Sequence, residues 1–228
     1  MTPIHQRLDA VRARLRAAED RAGRPAGSVG LIAVSKTKPV AALREALDAG
    51  QSAFGENYLQ EAREKQAALE GSAIEWHFIG PLQSNKTRPV AEHFHWAHAV
   101  EREKIARRLS EQRPAGLPPL DICLQVNVSG EASKSGLAPE DVPAVARAVA
   151  PLEGIRLRGL MCIPAPADDP AQQRRPFAQL RALLEALRAD GLDLDTLSMG
   201  MSADLEAAVA EGSTLVRVGS DIFGAREG

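Results

Sequence analysis

The sequence predicts an α/β protein: a single (β/α)8 TIM barrel carrying one extra helix at its N-terminus. Three observations point to it. Short apolar runs of strand character alternate with amphipathic helical stretches about eight times along 228 residues. Repeated βα alternation implies a parallel sheet, and this many units in a chain of this length implies closure into a barrel. The chain also opens with a helix and stops soon after its last strand. That first helix is expected to cover the place where a final helix would otherwise pack. An open doubly wound sheet is the structural alternative.

The elements follow in order. Ile4, Leu8, Val11 and Leu15 recur in steps of four, three and four, one face of a helix that Gly23 and Pro25 end. Strands are predicted at 29–35, 53–57, 74–80, 96–100, 122–128, 155–163, 197–200 and 214–218. Between them, helices are predicted at 40–49, 58–69, 86–92, 103–112, 142–149, around Phe177, Leu180, Leu184 and Leu187, and at 203–210. Gly50 and Gly71 stop two of these helices, and the proline-rich stretch 164–170 reads as a loop after a strand. No linker is long enough to divide the chain, so residues 1–228 are expected to form one domain.

Composition narrows the function classes. Hydrophobic residues make up 44% of the chain and the formal net charge is -2. Nothing global draws such a chain to nucleic acid or to an anionic membrane. Basic pairs such as Arg107-Arg108 and Arg174-Arg175 read as solvated helix faces. No apolar run has the length of a membrane span, and the charged N-terminus has no signal-peptide core. The cysteines, Cys123 and Cys162, both lie in apolar strands, which fits a reducing cytoplasm, and no cluster has metal-ligand spacing. A monomer is favoured.

In a parallel barrel the site forms at the carboxyl ends of the strands, so the residues there are the candidates. Lys36 ends the first strand. An amine partly withdrawn from water has a lowered pKa and is the nucleophile that attacks an aldehyde. A lysine merely snorkelling from a strand end is the competing reading, and Lys38 is a second candidate amine. Asn57 ends the second strand and His77 lies within the third, either against a ligand or as a satisfied barrel histidine. Ser198, Gly200, Met201 and Ser202 run from the seventh strand into a helix, with Ser202 as expected N-cap; Gly219 and Ser220 make a second small-residue turn. Such turns suit a phosphate, although ordinary βα turns use the same residues. Arg217 alternates with Leu215 and Gly219 and should point inward, to a structural ion pair or to a ring nitrogen. His93, His95 and His98 read as structural or exposed, Glu56 and Glu61 as helix-entry and surface charges, and Asp204 and Glu206 as solvent-facing.

Several long motifs carry a family resemblance over almost the whole chain: AVSKTKP at 33–39, FGENYLQE at 54–61, WHFIGPLQSNK at 76–86, VN at 126–127 with SKSG at 133–136, RGLMCI at 158–163, LSMGMS at 197–202 and VRVGS at 216–220 with IFG at 222–224. Together they resemble the pyridoxal phosphate homeostasis protein family, whose barrel is similar to the N-terminal domain of alanine racemase (fold type III). The resemblance implies pyridoxal 5′-phosphate (PLP) held as a Schiff base on Lys36. It implies that Ser198, Gly200, Met201, Gly219 and Ser220 hold the phosphate, that Arg217 faces the pyridine nitrogen and that Asn57 lies near the ring. Lys134 sits in a matching motif without a derived role.

Two functions remain at this level. One is a carrier that stores, buffers or delivers PLP, including to apo PLP enzymes. The other is a fold-type III racemase or decarboxylase. A two-base racemase needs an acid/base group on each face of its substrate, and in racemases of this fold a tyrosine from an added β-domain is the second. Here the sequence has one tyrosine, Tyr58, and no such domain. A phosphate-binding barrel without PLP is the third possibility.

Overall fold

The computed structural model describes residues 2–129 and 135–224. Eight parallel strands close into a barrel in chain order: β1 (Gly30–Val34), β2 (Ala53–Glu56), β3 (Glu75–Phe78), β4 (Trp96–Val100), β5 (Leu120–Gln125), β6 (Ile155–Met161), β7 (Thr196–Ser198) and β8 (Leu215–Val218). Closure runs through β1 and β8, whose register pairs Ile32 with Arg217 and Ala33 with Val218. The helices are α1 (Pro3–Arg21), α2 (Val40–Asp48), α3 (Leu59–Ala68), α4 (Thr87–His93), α5 (Glu103–Gln112), α6 (Val142–Val149), α7 (Pro170–Ala189), α8 (Leu205–Ala210) and α9 (Ser220–Phe223).

Six of the eight strands end one to three residues before the sequence patterns do, because the apolar alternation continues into loop residues after pairing has ended; β4 matches, and β5 and β7 begin two and one residues earlier than expected. Two larger differences have local causes. Helix α7 starts at Pro170, inside the proline-rich stretch. Asp169 caps it by accepting from the Gln172 N–H at 2.9 Å, and Pro170 occupies the first turn, where its missing N–H costs nothing. Helix α8 starts at Leu205 with Asp204 at its N-cap, so Ser202 lies in the preceding turn and is not the cap.

Helix α1 covers the closure as expected, packing on α2, α8 and α9. Leu8, Val11, Leu15 and Ala18 are buried, and Arg14 reaches Glu206 through two N–H groups at 2.6 Å and Asp221 at 3.1 Å. Glu206 therefore pairs with α1 while its side chain stays 41% exposed. Two apolar layers result. The larger lies between sheet and helices, and a small one inside the barrel holds Trp96, Cys123 and Met161 with Leu215 packed on it. Beside these apolar residues and Ile32, the barrel interior holds His77, His98, Ser198 and Arg217, all buried.

Candidate functional site

Lys36 stands two residues past the end of β1 and is half-buried. It lines a cavity of about 310 Å3 together with Asn57, Met201, Ser202, Arg217, Gly219 and Ser220, with Val34, Ile79 and Ile163 as its apolar wall. A smaller cleft of about 190 Å3 shares Lys36, Gly219 and Ser220 and adds Thr37 and Lys38. The cavity therefore sits over the carboxyl ends of β1, β2 and β8 and the turn after β7.

The backbone carrying Lys36 is anchored from behind by a buried ionic cluster. Lys65 of α3 donates to the Ser35 carbonyl at 2.7 Å, to Glu56 at 2.8 Å and to Glu61 at 2.5 Å. The Ser35 hydroxyl donates to the same Glu56 oxygen, and the Thr37 N–H donates to Glu61 at 2.6 Å. Thr37 adopts a φ of 63°, a conformation that this cluster helps to hold. Glu56, expected as a helix-entry charge, is fully buried, and desolvation pushes its carboxyl pKa up against the opposing pull of Lys65. Outward strand alternation placed Ser35 and Glu56 behind the sheet; only the approach of α3 makes that layer ionic.

Arg217 points into the barrel and is 4% exposed. Its Nη1 donates to the Ser198 hydroxyl at 2.6 Å and its Nη2 to the Cys162 carbonyl at 2.9 Å; both acceptors are neutral. Burial lowers its pKa from the usual arginine range. Ser198 is fully buried with its hydroxyl shared between Arg217 and the Nδ1 of His98, at 2.8 Å. His98, in turn, meets His77 at 2.9 Å, and His77 meets Glu75 at 2.8 Å. His77 does not reach the cavity: its ring stacks on Trp96, centroids 5.5 Å apart, in the lower half of the barrel. Ile79, two residues further along the same face, takes the place on the cavity wall, so His77 stands one inward-facing position below the lining residues. Likewise the Ser198 side chain lies beneath the cavity floor and does not line it.

The two turns after β7 and β8 converge, with the Ser202 and Ser220 hydroxyls 3.4 Å apart. Gly200 has a φ of 97°, and a Cβ there would stand 2.5 Å from that of Ala208, so the turn requires glycine. Gly200 is buried beneath the turn and, like Ser198, is not on the cavity wall. Asp204 does not face solvent: it accepts from the Met201 N–H at 2.6 Å, and burial raises its carboxyl pKa.

Of the expected set, the cavity thus gathers Lys36, Asn57, Met201, Arg217, Gly219 and Ser220, while His77, Ser198 and Gly200 lie below or behind it. Lys134 lies outside the described residues. A PLP-sized group fits what is present. An amine and a guanidinium face one cavity, and the buried Oδ1 of Asn57 has no hydrogen-bond partner among the described residues. Such an acceptor is costly unless something else reaches it.

Residues 6–227 match the family described as alanine racemase, N-terminal domain. A Pseudomonas aeruginosa protein named pyridoxal phosphate homeostasis protein is 63% identical over 227 residues, covering 100% of this chain and 97% of its own length. The chain belongs to the pyridoxal phosphate homeostasis protein family. A solved relative in this family, PipY of Synechococcus elongatus with PLP bound, is 41% identical, with a TM-score of 0.85 over 97% of this chain and 100% of its own. Outside the family, alanine racemase from Corynebacterium glutamicum shares the fold at a TM-score of 0.71 and 19% identity; the match spans 61% of that longer chain.

Proposed function

We propose that this chain binds PLP covalently through Lys36 and serves PLP homeostasis as a carrier that stores, buffers or delivers the cofactor in the cytoplasm. The observation that carries the reading is the single cavity lined by both Lys36 and Arg217 in a chain 63% identical to a protein of that name. When bound, PLP supplies an aldehyde that condenses with an amine and a ring able to accept electrons. Lys36 provides the amine. Arg217, a permanent cation, would face the ring nitrogen and keep it unprotonated, which weakens the ring as an electron sink. Met201, Gly219 and Ser220 would hold the phosphate through their turns, with Ser198 and Gly200 supporting those turns from below. Asn57 would stand beside the ring.

The carrier reading is supported over a racemase or decarboxylase by the cavity wall. Among the described residues, its titratable side chains are Lys36 and Arg217, and Tyr58 is 52% exposed and off the cavity. A second acid/base group is missing from that set. One closed barrel running from β1 to β8 supports one domain, and no helix is long and apolar enough to cross a membrane.

Borohydride reduction followed by peptide mapping tests the site. The label is expected on the Lys36 peptide and is expected to vanish in Lys36→Ala while the fold persists. Purified protein that is colourless and cannot be reconstituted, or a label on another lysine, would overturn it. Incubation with a panel of L-amino acids should give no sustained racemisation or decarboxylation, and mixing holo-protein with an apo PLP enzyme should transfer cofactor.

A further inference from the structure

A continuous line of hydrogen bonds crosses the barrel interior. It starts at Arg217 beneath the cavity and passes through Ser198, His98 and His77 at spacings of 2.6, 2.8 and 2.9 Å. It ends 2.8 Å further on at Glu75, the first residue of β3. Glu75 is about half-exposed in a separate pocket on the opposite face of the barrel, lined also by His95, Trp96, Asp121 and Arg156. The five residues come from four separate strands, β3, β4, β7 and β8.

Both ends of the line fix its direction. A guanidinium can only donate, so the Ser198 oxygen accepts from Arg217. The buried Ser198 hydroxyl proton then finds its acceptor in His98 Nδ1, which leaves the His98 proton on Nε2. His98 donates from there to His77 Nδ1, which leaves the His77 proton on its own Nε2, facing Glu75. A carboxylate can only accept, so the other end demands the same arrangement. The reverse arrangement would strand the Ser198 proton in a fully buried site and require Glu75 to be protonated. Both imidazoles are therefore neutral, and burial lowers their pKa values in keeping with this. The His77 hydrogen bond holds the Glu75 carboxyl below its ordinary value.

We propose that Glu75 is a remote positioning residue for Arg217, the terminal acceptor of a hydrogen-bond chain through His77, His98 and Ser198 that aims the guanidinium at the cavity. Two of the five N–H groups of Arg217 are committed below the floor, one to Ser198 and one to Cys162. Among the described residues no carboxylate bonds Arg217 directly. Asp204 at the rim is within electrostatic reach, but its oxygen is engaged by the Met201 N–H. Four aligned donors ending on a carboxylate polarise one another in the low-dielectric interior and stabilise the cation at the far end. The inference rests on the reading of Arg217 as the group facing the PLP ring nitrogen.

Long-range 1H–15N NMR on the apo-protein tests the chain without cofactor. Near neutral pH, His77 and His98 are expected neutral with their protons on Nε2. In Glu75→Gln and in Glu75→Ala the Arg217 end alone holds the direction, so both rings should keep their Nε2 protons while the His77 Nε2–H signal, having lost its carboxylate partner, moves upfield. With PLP added, those variants should shift the absorption band and bind roughly two- to thirtyfold more weakly, the range of coupling carried over such distances, with unchanged far-UV circular dichroism. A proton on His98 Nδ1 or a charged ring in the unsubstituted protein would overturn the proposal. So would variants that leave the His77 Nε2–H signal, the absorption band and the PLP affinity of the parent unchanged. A colourless parent protein would overturn the PLP reading instead, and the NMR result would still decide the direction of the chain.

Discussion

His77 and His98 are buried neutral imidazoles, and that has a measurable consequence for stability. Burial holds both folded-state pKa values below the ordinary histidine value. As pH falls through about 6.5 the unfolded chain takes up a proton on each ring, whereas the folded chain does not until lower pH. The unfolded state then binds more protons, so stability falls with falling pH in the window below about 6.5 and above the folded values. Each ring is expected to contribute a slope of up to about 1.4 kcal/mol per pH unit. Urea midpoints measured from pH 7.5 to 5.5 check this, and His98→Gln should flatten the dependence by one proton. Sequence alone read His98 as structural or exposed and His77 as a choice between ligand and core. The choice turned on how far along β3 the barrel rim lies, which one strand's residues do not reveal.

At the scale of the element, α1 covers the seam between β8 and β1, packed on α2, α8 and the one-turn α9. Its apolar face and its ion pairs make different predictions. Leu8 is fully buried, and Leu8→Ala is expected to cost about 2–5 kcal/mol in urea unfolding with an unchanged slope. Arg14 pairs with Glu206 and Asp221 at about one-third exposure, and such pairs contribute roughly 0–1 kcal/mol. Arg14→Ala should therefore be nearly silent at high salt. Helix α1 also supplies Glu19, 1% exposed, which accepts from the N–H groups of Gly27 and Val29 at 3.0 and 2.8 Å and so orients the chain into β1. The strand that carries Lys36 is thus held at its start by α1 and at its end by Lys65 of α3.

For the whole molecule, closure of the barrel brings β1 beside β8, and with it Lys36 beside Gly219 and Ser220. Any ligand gripping both therefore bridges the seam. Binding to the folded state alone raises stability by mass action, about 2.7 kcal/mol at a hundredfold excess over Kd. PLP is expected to raise the thermal midpoint of the protein in a concentration-dependent way and to have a much smaller effect on Lys36→Ala. Equal shifts in the two proteins in a thermal melt would separate stabilisation from attachment at Lys36.

The alternation of strand and helix, the inward face of β8 and the strand-end position of Lys36 were legible in the sequence, because each follows from period, turn residues and local polarity. So was the family, because its motifs are long and contiguous. What only the tertiary structure decided was partnership. Lys65 beneath Ser35, Asp204 on Met201, and the line from Glu75 to Arg217 join residues that are apolar-flanked or ordinary in their own segments. Hydrogen bonding and burial depend on which strands become neighbours and how high each residue stands in the barrel, and both are set by closure of the whole sheet.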